Sequence, residues 1–86
     1  MSKKTLLKVC ELNNGKIVVG RPYEARLGRF YLKEACMIDS KRIPEEVRRY
    51  SSEYNNRLLE AYEKTPKCDL SVKLSRFKHP PYTIIK

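Results

Sequence analysis

The sequence predicts a small α+β domain: a curved antiparallel sheet covered by one long helix. Three observations carry that expectation. Apolar and polar residues alternate along residues 5–38 and again beyond residue 70, the period of half-buried strands. Between residues 44 and 64 the apolar spacing lengthens to three and four residues, that of a helix. The chain has 86 residues, 34% charged and 41% hydrophobic, which suits one packed core and excludes a two-domain enzyme or a barrel of alternating strands and helices.

The first strand is expected over residues 5–12, where Leu7 and Val9 alternate with Lys8 and Cys10. Asn13-Asn14-Gly15 is a hairpin signal, and Ile17-Val18-Val19 continue as a return strand over 16–21. Pro22 removes a ladder donor, so Pro22 to Gly28 reads as a loop. A third strand spans 29–38. Phe30, Leu32, Cys36 and Ile38 share one parity, and Arg29, Tyr31, Lys33, Ala35 and Met37 the other. Glu34 falls on the apolar parity, which predicts a bulge or bend there. These strands make a three-strand meander.

The helix is expected over 44–64. Asp39 or Ser40 can open it, Pro44 fits its first turn, and Glu45-Glu46 suit the positive end of its dipole. Val47, Tyr50, Tyr54, Leu58, Ala61 and Tyr62 form its apolar stripe, and they read as core in preference to a partner surface. Glu45/Arg49, Glu53/Arg57 and Glu60/Lys64 stand acid before base at the favourable four-residue spacing. At ~1.5 Å per residue such a helix is ~31 Å long. Ser51-Ser52 and Asn55-Asn56 are poor helix formers and mark where it kinks or breaks, and Thr65-Pro66 ends it. One or two strands follow, over 70–77 and, after Pro80-Pro81, over 82–85 as an edge. A small barrel is the closed form of such a sheet.

The formal charge is +9, and it is unevenly placed. Residues 1–33 carry net +6, residues 34–67 carry zero, and residues 68–86 carry +3. The excess therefore belongs to the sheet and the C-terminal segment, which points to a polyanionic partner. In the densest stretch Arg21, Arg26, Arg29 and Lys33 interleave with Tyr23 and Tyr31. Arginine forks pair with phosphate oxygens, and tyrosine rings stack on unpaired bases. The strand parity of Arg29, Tyr31 and Lys33 puts them on an outer face, the geometry of sheet-based single-strand binders. The plainer reading is a solvated strand face. Lys73, Arg76 and Lys78, beside His79, are weaker candidates, for which edge-strand protection is the simpler account.

Other chemistry has little to stand on. Cys10, Cys36 and Cys68 lie 26 and 32 residues apart, which gives neither a paired disulfide framework nor a close ligand pair. Reduced thiols are expected, at least two of them packed as small hydrophobes. With one histidine, His79, and three glycines there is no nucleophile–base pairing and no phosphate loop. No enzymatic activity, metal or cofactor is expected. No window of ~18 apolar residues spans a membrane, and Lys8 and Glu11 interrupt any secretory signal, so cytoplasmic residence is the expectation.

Leu7-Lys8-Val9, Asn14-Gly15-Lys16-Ile17-Val18-Val19-Gly20, Leu32, Ala35 and Ile38 together resemble the first half of the Sm motif. The resemblance covers residues 7–38 and implies a small, strongly bent barrel. The Asp and Asn that precede the third strand in Sm-like proteins are replaced by Arg26-Leu27-Gly28-Arg29, so no RNA-contact residue is carried over. The expected function is a basic nucleic-acid-binding module for RNA or DNA, using the outer sheet face and the Arg21–Lys33 stretch. The alternative is a protein-interaction module, such as a small regulator or inhibitor of viral type. It would dock on an acidic protein or form a homo-oligomer through the helix.

Overall fold

The computed structural model describes residues 5–86. Five strands form one antiparallel sheet: β1 (Leu6–Glu11), β2 (Lys16–Arg26), β3 (Arg29–Asp39), β4 (Cys68–Lys73) and β5 (Tyr82–Ile85). Their order is β4-β3-β2-β1-β5, so the sheet is open, with β4 and β5 as its edges. A helix, α1 (Ser52–Lys64), lies between β3 and β4 in the chain. Short 3-10 turns occupy Ser40–Arg42 and Leu74–Arg76. The α+β class is as expected; the helix and the Pro22–Gly28 segment differ from expectation.

The Asn13-Asn14-Gly15 turn works as its sequence suggests. Gly15 has φ of 82°, the left-handed region that glycine enters without penalty, and Asn14 Oδ1 accepts from the Lys16 N–H at 3.0 Å. The next turn was not legible in the same way. β2 continues past Pro22 to Arg26 and returns through Leu27 (φ 51°) and Gly28 (φ 71°). Two central residues with positive φ make the primed turn that matches strand twist. The expected loop is therefore the outgoing strand of a hairpin arm. Pro22 is tolerated because it sits between two register shifts, Val19/Arg21 and Pro22/Glu24, where the ladder is already irregular.

The predicted irregularity at Glu34 is a bulge, and it does more than bend β3. Glu34 has φ of 49°, and the β3–β4 register shifts between Leu32 and Ala35. One extra residue reverses the parity, so Phe30 and Leu32 do not share a face with Cys36 and Ile38. Cys36 and Ile38 join Leu7, Val9, Ile17, Val19 and Ile84 in a core beneath the helix. Leu32 and Ala35 join Cys10, Leu12, Val18 and Val72 in a second core on the opposite face. The chain closes over that second core after β4. Phe77 bridges to Leu12, the Asn13 N–H donates to Arg76 O at 2.9 Å, and Phe30 and Phe77 rings lie 6.1 Å apart. The expected strand over 70–77 is thus β4 at Cys68–Lys73, a 3-10 turn, and a bridge.

The helix spans Ser52–Lys64, not 44–64. At ~1.5 Å per residue it is ~20 Å long. Asp39 caps the 3-10 turn instead, accepting from the Lys41 N–H at 3.0 Å. Ser51 is the N-cap of α1, its Oγ accepting from the Tyr54 N–H at 3.1 Å. The Ser51-Ser52 weak point is where helix begins. What holds the preceding residues out of the helix is Glu11, which follows Leu7 and Val9 on the helix-side parity and is 7% exposed. A buried carboxylate requires a partner, and the Arg49 guanidinium supplies it at 2.8 Å. Arg49 thus pairs with Glu11 across the fold and not with Glu45 along a helix. Of the expected stripe, Tyr54, Leu58, Ala61 and Tyr62 are buried, Val47 is half-buried, and Tyr50 is exposed beside the Tyr82 ring, 4.9 Å away. The Tyr62 hydroxyl donates to the Glu34 carbonyl at 2.5 Å, fastening the helix to the bulge.

Two substitutions test this packing. Leu58 is fully buried under the sheet, so Leu58→Ala is expected to cost about 2–5 kcal/mol in a denaturant melt. A Cβ on Gly20 would stand 2.5 Å from the Ala35 Cβ and 2.8 Å from its Cα, so Gly20→Ala is expected to cost about 1–3 kcal/mol. An unchanged melting midpoint for either variant contradicts the corresponding contact.

Candidate nucleic-acid interface

The β2–β3 arm and β4 place most of the predicted residues in register. Arg21 lies opposite Lys33. Glu24 lies opposite Tyr31, and Tyr31 opposite Ser71. Arg26 lies opposite Arg29, and Arg29 opposite Lys73. Cross-strand partners share a face, so these side chains form rows across three strands. By parity this is the same sheet face that α1 covers farther along, left open because the helix stops short of the arm. Every residue from Arg21 to Gly28 is exposed, and Leu27 at the tip is 91% exposed.

Within the rows two neighbouring rings are flanked by cations. The Arg26 guanidinium stands 5.7 Å from the Tyr31 ring centroid. Tyr31 and Tyr23 have centroids 6.1 Å apart with planes inclined at 55°. The Lys33 ammonium stands 4.7 Å from the Tyr23 centroid. Both rings thus carry a cation at cation–π distance. Tyr23 reaches this row because the register shift between Pro22 and Glu24 leaves it without a cross-strand partner.

The arm's arginines also have local partners. Arg21 pairs with Glu34 at 3.0 Å and Arg26 with Glu24 at 3.4 Å, while Arg29 donates to Ser71 Oγ at 3.1 Å. The two ion pairs are more than a third exposed at each end, where such pairs contribute ~0–1 kcal/mol. Such weak pairs leave the guanidinium groups free to exchange a carboxylate for a phosphate.

The structure brings together Arg21, Tyr23, Arg26, Arg29, Tyr31 and Lys33, and adds Lys73 from β4. Arg76 and Lys78 lie outside these rows, on the segment that pairs with the end of β1. His79 Nε2 is 3.4 Å from Arg49 Nη1, on the helix side. Sequence reasoning missed Glu24 and Ser71 as members of the face, since their places follow from the register shifts. It also missed the Glu11–Arg49 pair, for which a signal existed: Glu11 continues the apolar parity of Leu7 and Val9.

The two buried thiols offer little chemistry at neutral pH. Burial pushes the Cys10 thiol up from 9.0 to about 12, with the nearby Lys8 charge acting weakly the other way. Burial also raises Cys36, and Cys68 is exposed. Among the described residues no three His, Cys, Asp or Glu side chains converge on a point that would hold a metal. Among the same residues no helix is long and apolar enough to cross a membrane. No protein-family model matches the chain, and neither a curated protein nor a solved structure gives a significant match.

A thiol reagent applied to the native protein at neutral pH is expected to modify Cys68 and to reach Cys10 and Cys36 only after unfolding. Rapid native labelling of Cys10 would contradict its burial. The alkaline limb of stability follows from the same shifts. Cys10, Tyr54, Tyr62 and Tyr82 all ionise later in the folded protein than in the unfolded chain, chiefly because of desolvation. Their contribution is complete below about pH 9 and is lost as pH rises toward 12, because the unfolded chain releases those protons first. Denaturant melts across that interval should show stability falling with pH, less steeply for Cys10→Ala relative to its own value at pH 8.

Proposed function

We propose that this protein binds single-stranded nucleic acid across the outer face of the β2–β3 arm and β4. The observation that carries the reading is the run Arg26–Tyr31–Tyr23–Lys33, two neighbouring rings flanked by a cation on either side on one exposed face. Stacking platforms between phosphate-binding cations are what sequence-tolerant single-strand binders require. The ring geometry favours unpaired bases. Duplex bases are stacked at ~3.4 Å and present edges, whereas two rings 6.1 Å apart and inclined at 55° suit bases splayed from one another. Arg21 and Arg29 flank the rings and join Arg26 and Lys33 as the four phosphate contacts, with Lys73 at the edge of the face. Contacts to base faces and phosphates accommodate RNA and DNA alike.

The finer architecture supports the same reading. We read the Leu12–Phe77 bridge, with the Arg76 and Lys78 backbone bonds beside it, as a partial closure of this open sheet toward the small barrel that the resemblance of residues 7–38 to the Sm motif implies. The competing reading, dimerisation through the helix, is weakened by the helix stripe itself. Tyr54, Leu58, Ala61 and Tyr62 are already buried against the chain's own sheet.

Salt dependence tests the proposal. Four phosphate contacts on a single strand give a log–log slope of about −3, at ~0.7 per contact. Replacing Arg21, Arg26, Arg29 and Lys33 together with alanine is expected to remove nearly all of that slope. Tyr31→Ala is expected to cost about 1–3 kcal/mol of affinity while leaving the slope unchanged, since a stacking ring carries no charge. Arg57→Ala, on the helix beside Glu53, is the control and should do little. Equal losses from helix and arm would mean diffuse attraction with no site, and would favour docking on an acidic protein.

A further inference from the structure

A second feature lies at the other end of the molecule from the arm's tip. Between the Ser40–Arg42 turn and the start of α1, a half-open cleft of about 580 Å³ is lined by residues from 40 to 54. That volume is within the ~300–1,000 Å³ of small-molecule sites. Its apolar wall is Ile43, Val47 and the Tyr54 ring, all buried or half-buried. Its charged lining is Lys41, Arg48 and Arg49 against the single carboxylate of Glu45.

The wall carrying the two arginines is built rather than slack. Arg49 is held by Glu11, itself 7% exposed, at 2.8 Å. The Arg48 carbonyl accepts both the Ser51 N–H at 3.3 Å and the Ser51 hydroxyl at 2.5 Å. Between them Tyr50 is forced to a φ of 64°, a strained conformation for a bulky residue. The fold thus fixes the Arg49 guanidinium, the Arg48 backbone and one strained turn at the mouth of an apolar-walled cleft. Arg48 and Lys41 have no ion-pair partner among the described residues.

We infer that this cleft binds a small phosphorylated ligand with a flat apolar body, of the mononucleotide class. The Arg48 fork matches phosphate oxygens two at a time, and Lys41 adds a second unpaired positive charge suited to a dianion, with the Arg49–Glu11 pair as the wall beside them. The body lies against Ile43, Val47 and Tyr54. Because none of the lining residues belongs to the arm, this site is independent of the single-strand reading and stands or falls separately.

Calorimetric titration at low salt with adenosine monophosphate tests it, with adenosine alone and inorganic phosphate alone as the other arms. The nucleotide is expected to bind at least about tenfold more tightly than either fragment. Arg48→Ala and Lys41→Ala, both at exposed positions, are each expected to weaken it by about fivefold or more. Arg49→Ala is avoided because it strands the buried Glu11. Arg26→Ala and Arg29→Ala on the arm should leave nucleotide binding unchanged. No binding, equal binding of nucleotide and phosphate, or equal loss from the arm variants would each overturn the assignment.

Discussion

The close approach of Gly20 to Ala35 is the constraint on which this fold depends. The extra residue at Glu34 draws β3 against β2 so tightly that a side chain at position 20 has no room. That shift lets the same strands bury one face under the helix and the opposite face beneath Phe77. The face left uncovered by the exchange becomes the surface of the arm. Tyr62 then fastens the helix to the carbonyl of the residue that makes the bulge. Sheet bend, helix position and arm exposure are set at one locus.

A second determinant is electrostatic. Glu11 occupies a position that apolar alternation reserves for a hydrophobe, and its burial demands Arg49. Helix propensity and the Glu45/Arg49 spacing would extend α1 toward Pro44, yet a buried unpaired carboxylate costs several times what an exposed i,i+4 pair contributes. The tertiary pair wins, residues before Ser52 form turns, and Tyr50 takes the strain.

Much of this was legible in the sequence. Alternation located β1, the start of β2, β3 and the latter part of β4, because half-buried strands repeat every second residue, and Pro80-Pro81 marked off β5. Asn14-Gly15 located the first turn, because that turn needs positive φ and glycine offers it. A charge on an apolar parity located the bulge at Glu34. The arm's extent was hidden because Pro22 argues against a strand and Leu27 is an unfavourable residue for a left-handed turn. The helix start was hidden because Glu11 lies about forty residues from Arg49, and periodicity reports only what is near in sequence. The candidate face was partly legible: its charges and rings were visible, but which of them meet depends on register shifts that no local pattern states.

Strand order has a consequence in time. β1, β2 and β3 are joined by tight turns, so their pairing closes short loops and can form early. β5 is different, since the Lys8–Thr83 contact on β1 joins residues 75 apart. Its arrival carries the largest loop-closure entropy in the sheet, and Ile84 is part of the core beneath the helix. That core stays open to water along one side until β5 docks. β5 is therefore the strand that seals it, and as an edge with a single partner it frays more readily than the strands inside the sheet.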